Sequence, residues 1–423
     1  RRNSRMTVDA FEMKGDKRMR HHHSGNAEPD LSNPRVVEQL SRLEVSAKTL
    51  RPWHVLSAIG AVTLVLGLFI APDRTWATVL LASQYLIGLG LGGLFLVAMH
   101  YLTSAGWSTV IRRIPEALTI LIPAGLVAVA AILILHPSLY AWIADSHGAL
   151  PGFKGLWLTY GFLLGRGVVF AAVWLLFARA MLRNSRAQDV DGSADHNRRN
   201  VALSAAFTVC FSLTYWLASV DWVMALDHHW YSTIYGVYAF TGLFSSALAC
   251  TIIVAQWLRG RPAMRQFIRE DHLHDLGKLL MGATTLWVYI WFSQYMLIWY
   301  ANIPEETIYY VHRQTGAWGP LSLMNPILNW VIPFFALLPR ACKRDGTILT
   351  RIAMVVLVGR WLDLYIMIFP SVSPEAPTFG IWEAGITLGM AGIAGTLILR
   401  SLGRAPLIPL KDPYLTESLH HHQ

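Results

Sequence analysis

Ten apolar stretches follow one another along the chain, at roughly 53–70, 76–102, 114–136, 156–180, 201–220, 231–257, 276–301, 320–339, 350–369 and 380–401, with polar segments between them. Each is close to the ~20 apolar residues that carry a helix across about 30 Å of hydrocarbon. Soluble helices would alternate a charged face with an apolar one, and these stretches lack the charged face. The pattern predicts an all-α, polytopic transmembrane helix bundle of about ten spans. Residues 1–52 are then a polar N-terminal extension, 53–401 the transmembrane domain and 402–423 a C-terminal tail.

Composition agrees with this. Of 423 residues, 54% are hydrophobic and 14% charged, against roughly 25% charged in soluble domains. The net charge of +9 would suit a polyanion such as nucleic acid, but its distribution has a simpler cause. Segments 103–113, 179–200, 258–278, 340–351 and the tail after Leu399 hold nineteen Lys and Arg, whereas the alternate loops hold only Arg74, Lys154 and Arg313. By the positive-inside rule both termini of this multi-pass chain are expected in the cytoplasm, with no nucleic-acid partner.

The extension is expected to stay partly disordered until it docks. It contains the tract His21–His23, and the tail contains His420–His422; exposed runs of this kind usually bind nothing specific. Segment 183–200 has the turn and charge chemistry of an exposed connection. Segment 137–155 has room for a short surface helix, and 302–319 is polar and aromatic. Ser83-Gln84-Tyr85 recurs as Ser293-Gln294-Tyr295, and Gly165-Arg166 as Gly359-Arg360. An offset of five spans is the signature of inverted-topology repeats.

Ionisable groups within a bilayer cost at least about 2.5–3.5 kcal/mol on insertion scales, so they mark either pathways or buried ion pairs. Arg166 is expected mid-span in the fourth stretch. Arg360 and Asp363 are expected mid-span in the ninth, three residues apart on one helical face. On the cytoplasmic side His100 and Glu116 flank a basic loop, and His272, His274, Asp275 and Lys278 crowd the start of the seventh stretch. His274 and Lys278 would share a helix face, and imidazole titrates near neutral pH, so this is a candidate proton entrance. The outer side carries His136, Asp145, His147, Asp221, Asp227, His228, His229, Glu305, Glu306, His312 and Glu383. Interfacial aromatics explain the Trp and Tyr found there. The close packing of Asp221, Asp227, His228 and His229 suits proton release, or acceptance of protons from a hydroxyl donor such as quinol.

Cys210, Cys250 and Cys342 lie far apart, with no CxxC, CxxCH or four-Cys run. Covalent haem, a self-contained iron–sulfur cluster and a disulfide framework are therefore not expected. A transmembrane haem needs paired histidines deep in facing helices, and every His here is expected near or beyond a membrane surface. A transporter would have Gly- or Pro-interrupted helices around a midplane site. The glycines of LIGLGLGGLF in the second stretch, and Pro326 and Pro333 in the eighth, allow that weakly.

Two runs carry a resemblance: WFSQYMLIWYANIPEET at 291–307, and YWLASVDWVM at 215–224 followed by DHHW at 227–230. They resemble the NrfD-like (polysulfide reductase-type) membrane subunits of bacterial alternative complex III, and most closely its F subunit, often described as a quinone-binding subunit of quinol:cytochrome c oxidoreductase. The resemblance implies two four-helix bundles, spans 2–5 and 6–9, with one peripheral helix at either end. It implies as partners a multihaem cytochrome c, an iron–sulfur subunit, a monohaem cytochrome, a sister NrfD-like subunit and small membrane anchors, besides lipid. Haems and iron–sulfur clusters would sit in those partners and none in this chain. Menaquinone or another quinone would touch it at most in part, since the quinol pocket of the family is better supported in the sister subunit. Asp221, Asp227, His228 and His229 would lie near the outer face, and Arg166, Arg360 and Asp363 would line a proton path. A structural scaffold for peripheral redox subunits and an independent transporter are the competing functions.

Overall fold

The computed structural model describes Leu40, residues 43–144 and residues 152–422. Most of the N-terminal extension, with His21–His23, lies outside these residues, as do Asp145 and His147. The described chain is helical throughout. Ten helical stretches correspond in order to the expected ones. They are α1 (Ala47–Ile70), α2 (Pro72–Leu102), α3 (Leu121–Leu135, after a short helix Arg113–Leu118), α4 (Tyr160–Asp191), α5 (Asp195–Trp222), α6 (Tyr235–Arg259), α7 (Glu270–Ala301), α8 (within Gly316–Leu337), α9 (Gly346–Ile368) and α10 (Ile381–Leu402). Among the described residues, nine helices are long and apolar enough to cross a membrane, and α7 is not among them. It is 32 residues long, but its first two turns are charged and its second half is aromatic rather than aliphatic.

The stretches run alternately up and down, so the molecule has two ends. The end where α2 ends and α3 begins carries the cationic loops and is called here the basic end; the other is the acidic end.

α2 is buried along nearly all of its apolar length, and α6 and α9 along most of theirs; α2 and α6 pack against each other. α3 and α5 pack on α2, and α4 on α5; α7 and α9 pack on α6, and α8 lies against both of these.

The first and last stretches pack together as a pair against α2. Small residues let their backbones meet, as is usual where lipid provides no hydrophobic drive. A Cβ on Gly60 would come within 2.2 Å of the Gly389 Cα.

Segment 183–200 is not an exposed connection. α4 continues to Asp191, α5 starts at Asp195, and the reversal takes place at Gly192, whose φ is +71°. Side chains hold the extended helices together. Asn184 donates to the Asn200 Oδ1 at 2.9 Å and to the His196 carbonyl at 2.6 Å. Segment 302–319 forms a surface helix, Pro304–Gln314. Proline opens it, Glu305 and Glu306 lie in its first turn, and His312 and Arg313 in its last, as the helix dipole favours.

Candidate functional site

Asp363 lies in the last third of α9 with no exposed surface, five residues before the helix ends at Ile368, or about 8 Å along the axis. α9 begins at Gly346, so within the helix the carboxylate sits toward the acidic end. Four helices supply donors. Oδ1 accepts from the Tyr238 hydroxyl on α6 and from Asn325 Nδ2 on α8 at 2.9 Å. Oδ2 accepts from Arg360 on α9 itself and from Trp287 Nε1 on α7 at 3.4 Å.

Local sequence explains this convergence. Arg360 and Asp363 are one turn apart, and the guanidinium lies on Gly242 of α6, where a Cβ would sit 2.4 Å from Nη1. Pro326 and Pro333 disturb α8, which takes a π-helical turn at Ile327–Val331. Asn325 and Asn329 lie beside that turn, bonded to each other at 2.7 Å. Turns of this kind often occur where helices present functional side chains.

A polar cavity of about 30 Å³ adjoins this cluster, lined by Tyr238, Gln294, Tyr309, Arg313, Ser322 and Asn325 among others. That is room for about one water molecule. Arg313, almost fully buried, closes its outer side. It donates to the carbonyls of Ile366 and Met367 at the end of α9, at 3.1 and 3.4 Å, and to that of Tyr309 at 3.1 Å. Its guanidinium stacks 3.4 Å from the Tyr309 ring centroid, and the other face of that ring stacks on Trp230 at 3.7 Å. Burial raises the Tyr309 phenol above its ordinary value, and Arg313 pulls it back. The Asp227 carboxylate lies 3.9 Å from Arg313. The neighbouring rings of His228 and His229 are 4.0 Å apart, with His229 exposed. Asp227, His228 and His229 thus stand at the acidic end of a polar series leading inward through Arg313 and the cavity to Tyr238, Asn325 and Asp363.

Asp221 does not belong to that series. On the last turn of α5 it makes a two-pronged pair with Arg166 of α4, Nε to Oδ2 at 2.7 Å and Nη2 to Oδ1 at 2.9 Å. The Trp157 indole donates to the same carboxylate at 2.9 Å, and Trp157 and Phe162 cover the guanidinium. α4 starts at Tyr160, so Arg166 lies in its second turn, near the acidic end. Tyr140 lies close by; burial first, and the Asp221 carboxylate second, raise its phenol above the ordinary value.

Glu383 is held just as firmly. Arg74 of α2 grips both oxygens, at 3.0 and 2.9 Å, and the Gly380 amide donates to one of them at 2.8 Å. The pair ties the acidic ends of α2 and α10 together and joins neither polar cluster described above.

At the basic end α7 carries His274 and Lys278 four residues apart, on one helix face. Lys278 reaches Asp275 at 2.6 Å, and the other carboxylate oxygen meets His421 Nε2 at 2.6 Å. The C-terminal segment, whose histidines seemed unremarkable in sequence, packs here: Ser418 contacts His272 at 3.3 Å, and Asp412 pairs with Arg112. His274 is buried, and its Nδ1 has no hydrogen-bond partner among the described residues. Neither ring nitrogen of His100 has one, and its ring lies edge-on to Trp107. A further buried network joins Arg113, Glu116, Ser185 and Asp189.

Tyr238, Trp287, Asn325, Arg313 and Arg74 carry much of this geometry and were not singled out as site residues from sequence. Only Arg313 and Arg74 gave a signal, as rare cations in otherwise cation-poor loops. No protein-family model matches the chain, and no relative is found among curated proteins.

Proposed function

We propose that this chain is a ten-span membrane subunit, with both termini in the cytoplasm, that moves protons for a quinol-oxidising assembly whose electrons travel in partner subunits. One observation carries the reading. Asp363 is a fully enclosed carboxylate whose donors Tyr238 and Asn325 also line a water-sized cavity, and Arg313, which lines the same cavity, lies 3.9 Å from Asp227. The Tyr238 phenol and a water in that cavity can each accept and pass a proton without carrying a lasting charge, with the Arg313 guanidinium between them and Asp227. The packing of α2–α5 around one another and of α6–α9 around one another is consistent with two four-helix bundles flanked by the α1–α10 pair.

The cavity beside Asp363 has no room for a quinone ring, and proton transfer through Asp363 needs none there. Multihaem and monohaem cytochromes, an iron–sulfur subunit, a sister NrfD-like subunit and small anchors remain the proposed partners, on the resemblance of 215–230 and 291–307. The decisive experiment is proton translocation by the purified assembly in liposomes carrying Asp363→Asn. Retained assembly with lost pumping supports the relay; unchanged pumping overturns it.

A second reading, a scaffold for peripheral subunits, rests on the two-pronged closure of Arg166–Asp221 and Arg74–Glu383. Groups gripped in this way fix geometry and do not exchange protons. The scaffold reading gains if every charge-neutral variant pumps normally and only deletion of the chain disrupts assembly.

A further inference from the structure

One face of α4 is uncovered along almost its whole length. Gly161, Gly165, Val168, Ala172 and Leu176 follow one another at steps of three or four residues, and Arg179, Arg183 and Arg186 continue the row to the basic end. All of them are exposed, and at 3.6 residues per turn they fall within about 80° of one another. A Cβ on Gly161 or Gly165 would meet nothing within 4 Å, whereas Gly385 and Gly389 of α10, spaced in the same way, lie against Thr63 and Gly60 of α1. Small residues four apart let two membrane helices approach closely. On α4 nothing in the described chain takes up the space they leave.

The arginines of this face are equally unused. Arg179, Arg183 and Arg186 make no ion pair or hydrogen bond among the described residues, while at the same end Arg112, Arg113 and Arg344 each hold a carboxylate. A second copy of the chain, threaded the same way, would set the row against itself, arginine to arginine. Anionic head groups reach only part of it. Arg179 is the first charge after twelve uncharged residues, and the head-group layer beyond the hydrocarbon is about 5–8 Å deep. Arg186 and the exposed Val190 lie about 10 and 16 Å further along the axis than Arg179, past that layer. What matches the whole face is a helix, apolar against 161–176 and acidic beside the arginines.

We propose that this face of α4 docks a membrane-spanning helix of a partner polypeptide, one that continues as helix on the basic side and carries Asp or Glu opposite Arg179, Arg183 and Arg186. The two helices cross at the shallow angle of about 20° usual in membrane bundles, which keeps them in contact from the glycines to the arginines. The surface rests on the chain being membrane-embedded and is independent of proton transfer.

The test is photocrosslinking in the membranes that hold the assembly, with benzoylphenylalanine at Leu176 or at Val190 and the crosslinked peptides sequenced by mass spectrometry. Both positions should capture the same polypeptide, at points about 14 residues apart, the first apolar and the second beside Asp or Glu. Arg183→Glu with Arg186→Glu should cut both yields about tenfold, and Arg183→Lys with Arg186→Lys should retain them. Gly165→Leu should also cut them, while the unfolding midpoint of the purified chain stays unchanged because the space beside Gly165 is open. Asp363→Asn should crosslink as the parent chain does, which separates this surface from the relay. No polypeptide product, products with lipid or with a second copy of the chain, a captured segment without acidic residues at the second point, or yields indifferent to the charge reversal would overturn the proposal.

Discussion

Arg166 and Asp221 lie 55 positions apart in sequence and meet across α4 and α5 in a two-pronged pair, with Trp157 donating to the same carboxylate. Asp221 has no exposed side-chain surface and Arg166 almost none. Removing one partner of such a pair strands the other charge, at a cost of about 3–5 kcal/mol. Arg166→Met and Asp221→Leu should therefore each lower the thermal unfolding midpoint sharply. The double variant should recover most of the loss, because both charges leave together. If the double variant is less stable than either single one, the pair is more than an electrostatic closure.

Asp363 lies in a different setting, because two of its donors border a cavity that can hold water. Asp363→Asn keeps the shape and removes the exchangeable charge. Proton translocation in liposomes should fall at least tenfold while the complex still assembles. Tyr238→Phe removes the hydroxyl between carboxylate and cavity and should reproduce the transport defect with a smaller loss of stability, about 1–3 kcal/mol for the donor lost to a buried carboxylate. Full pumping by Tyr238→Phe would take the phenol out of the path.

Glu383 provides the contrasting case. Its partner Arg74 retains about a third of its side-chain exposure, so solvent weakens the pair and its loss should cost only about 1 kcal/mol. Glu383→Gln should leave pumping unchanged and lower the unfolding midpoint slightly. A pumping defect in this variant with normal assembly would return Glu383 to the proton path.

The spans were legible because membrane insertion imposes one requirement on every residue in a stretch, and the apolar runs record it directly. α7 was legible by position more than by hydropathy, since its aromatic second half resembles an interface. Within the site, Arg360 and Asp363 could be paired from sequence because helix geometry alone brings i and i+3 together. Arg166 and Asp221 could not, because a tertiary contact over 55 positions leaves no local trace. Tyr238, Asn325 and Trp287 escaped notice for another reason: single neutral donors are common in spans, and only convergence on one carboxylate distinguishes them.

The α1–α10 pair gives the last prediction. Gly60 and Gly389 face each other so closely that a single methyl would meet opposing backbone. Overpacking a tight contact costs about 1–3 kcal/mol even where neighbours can shift, and a backbone Cα has little freedom to do so. Gly389→Leu should separate α1 from α10 and lower the unfolding midpoint. It should leave the Asp363 cluster intact, because that cluster is built from α6, α7, α8 and α9. An unchanged midpoint in Gly389→Leu would mean that the two helices are held by something other than their small-residue contact.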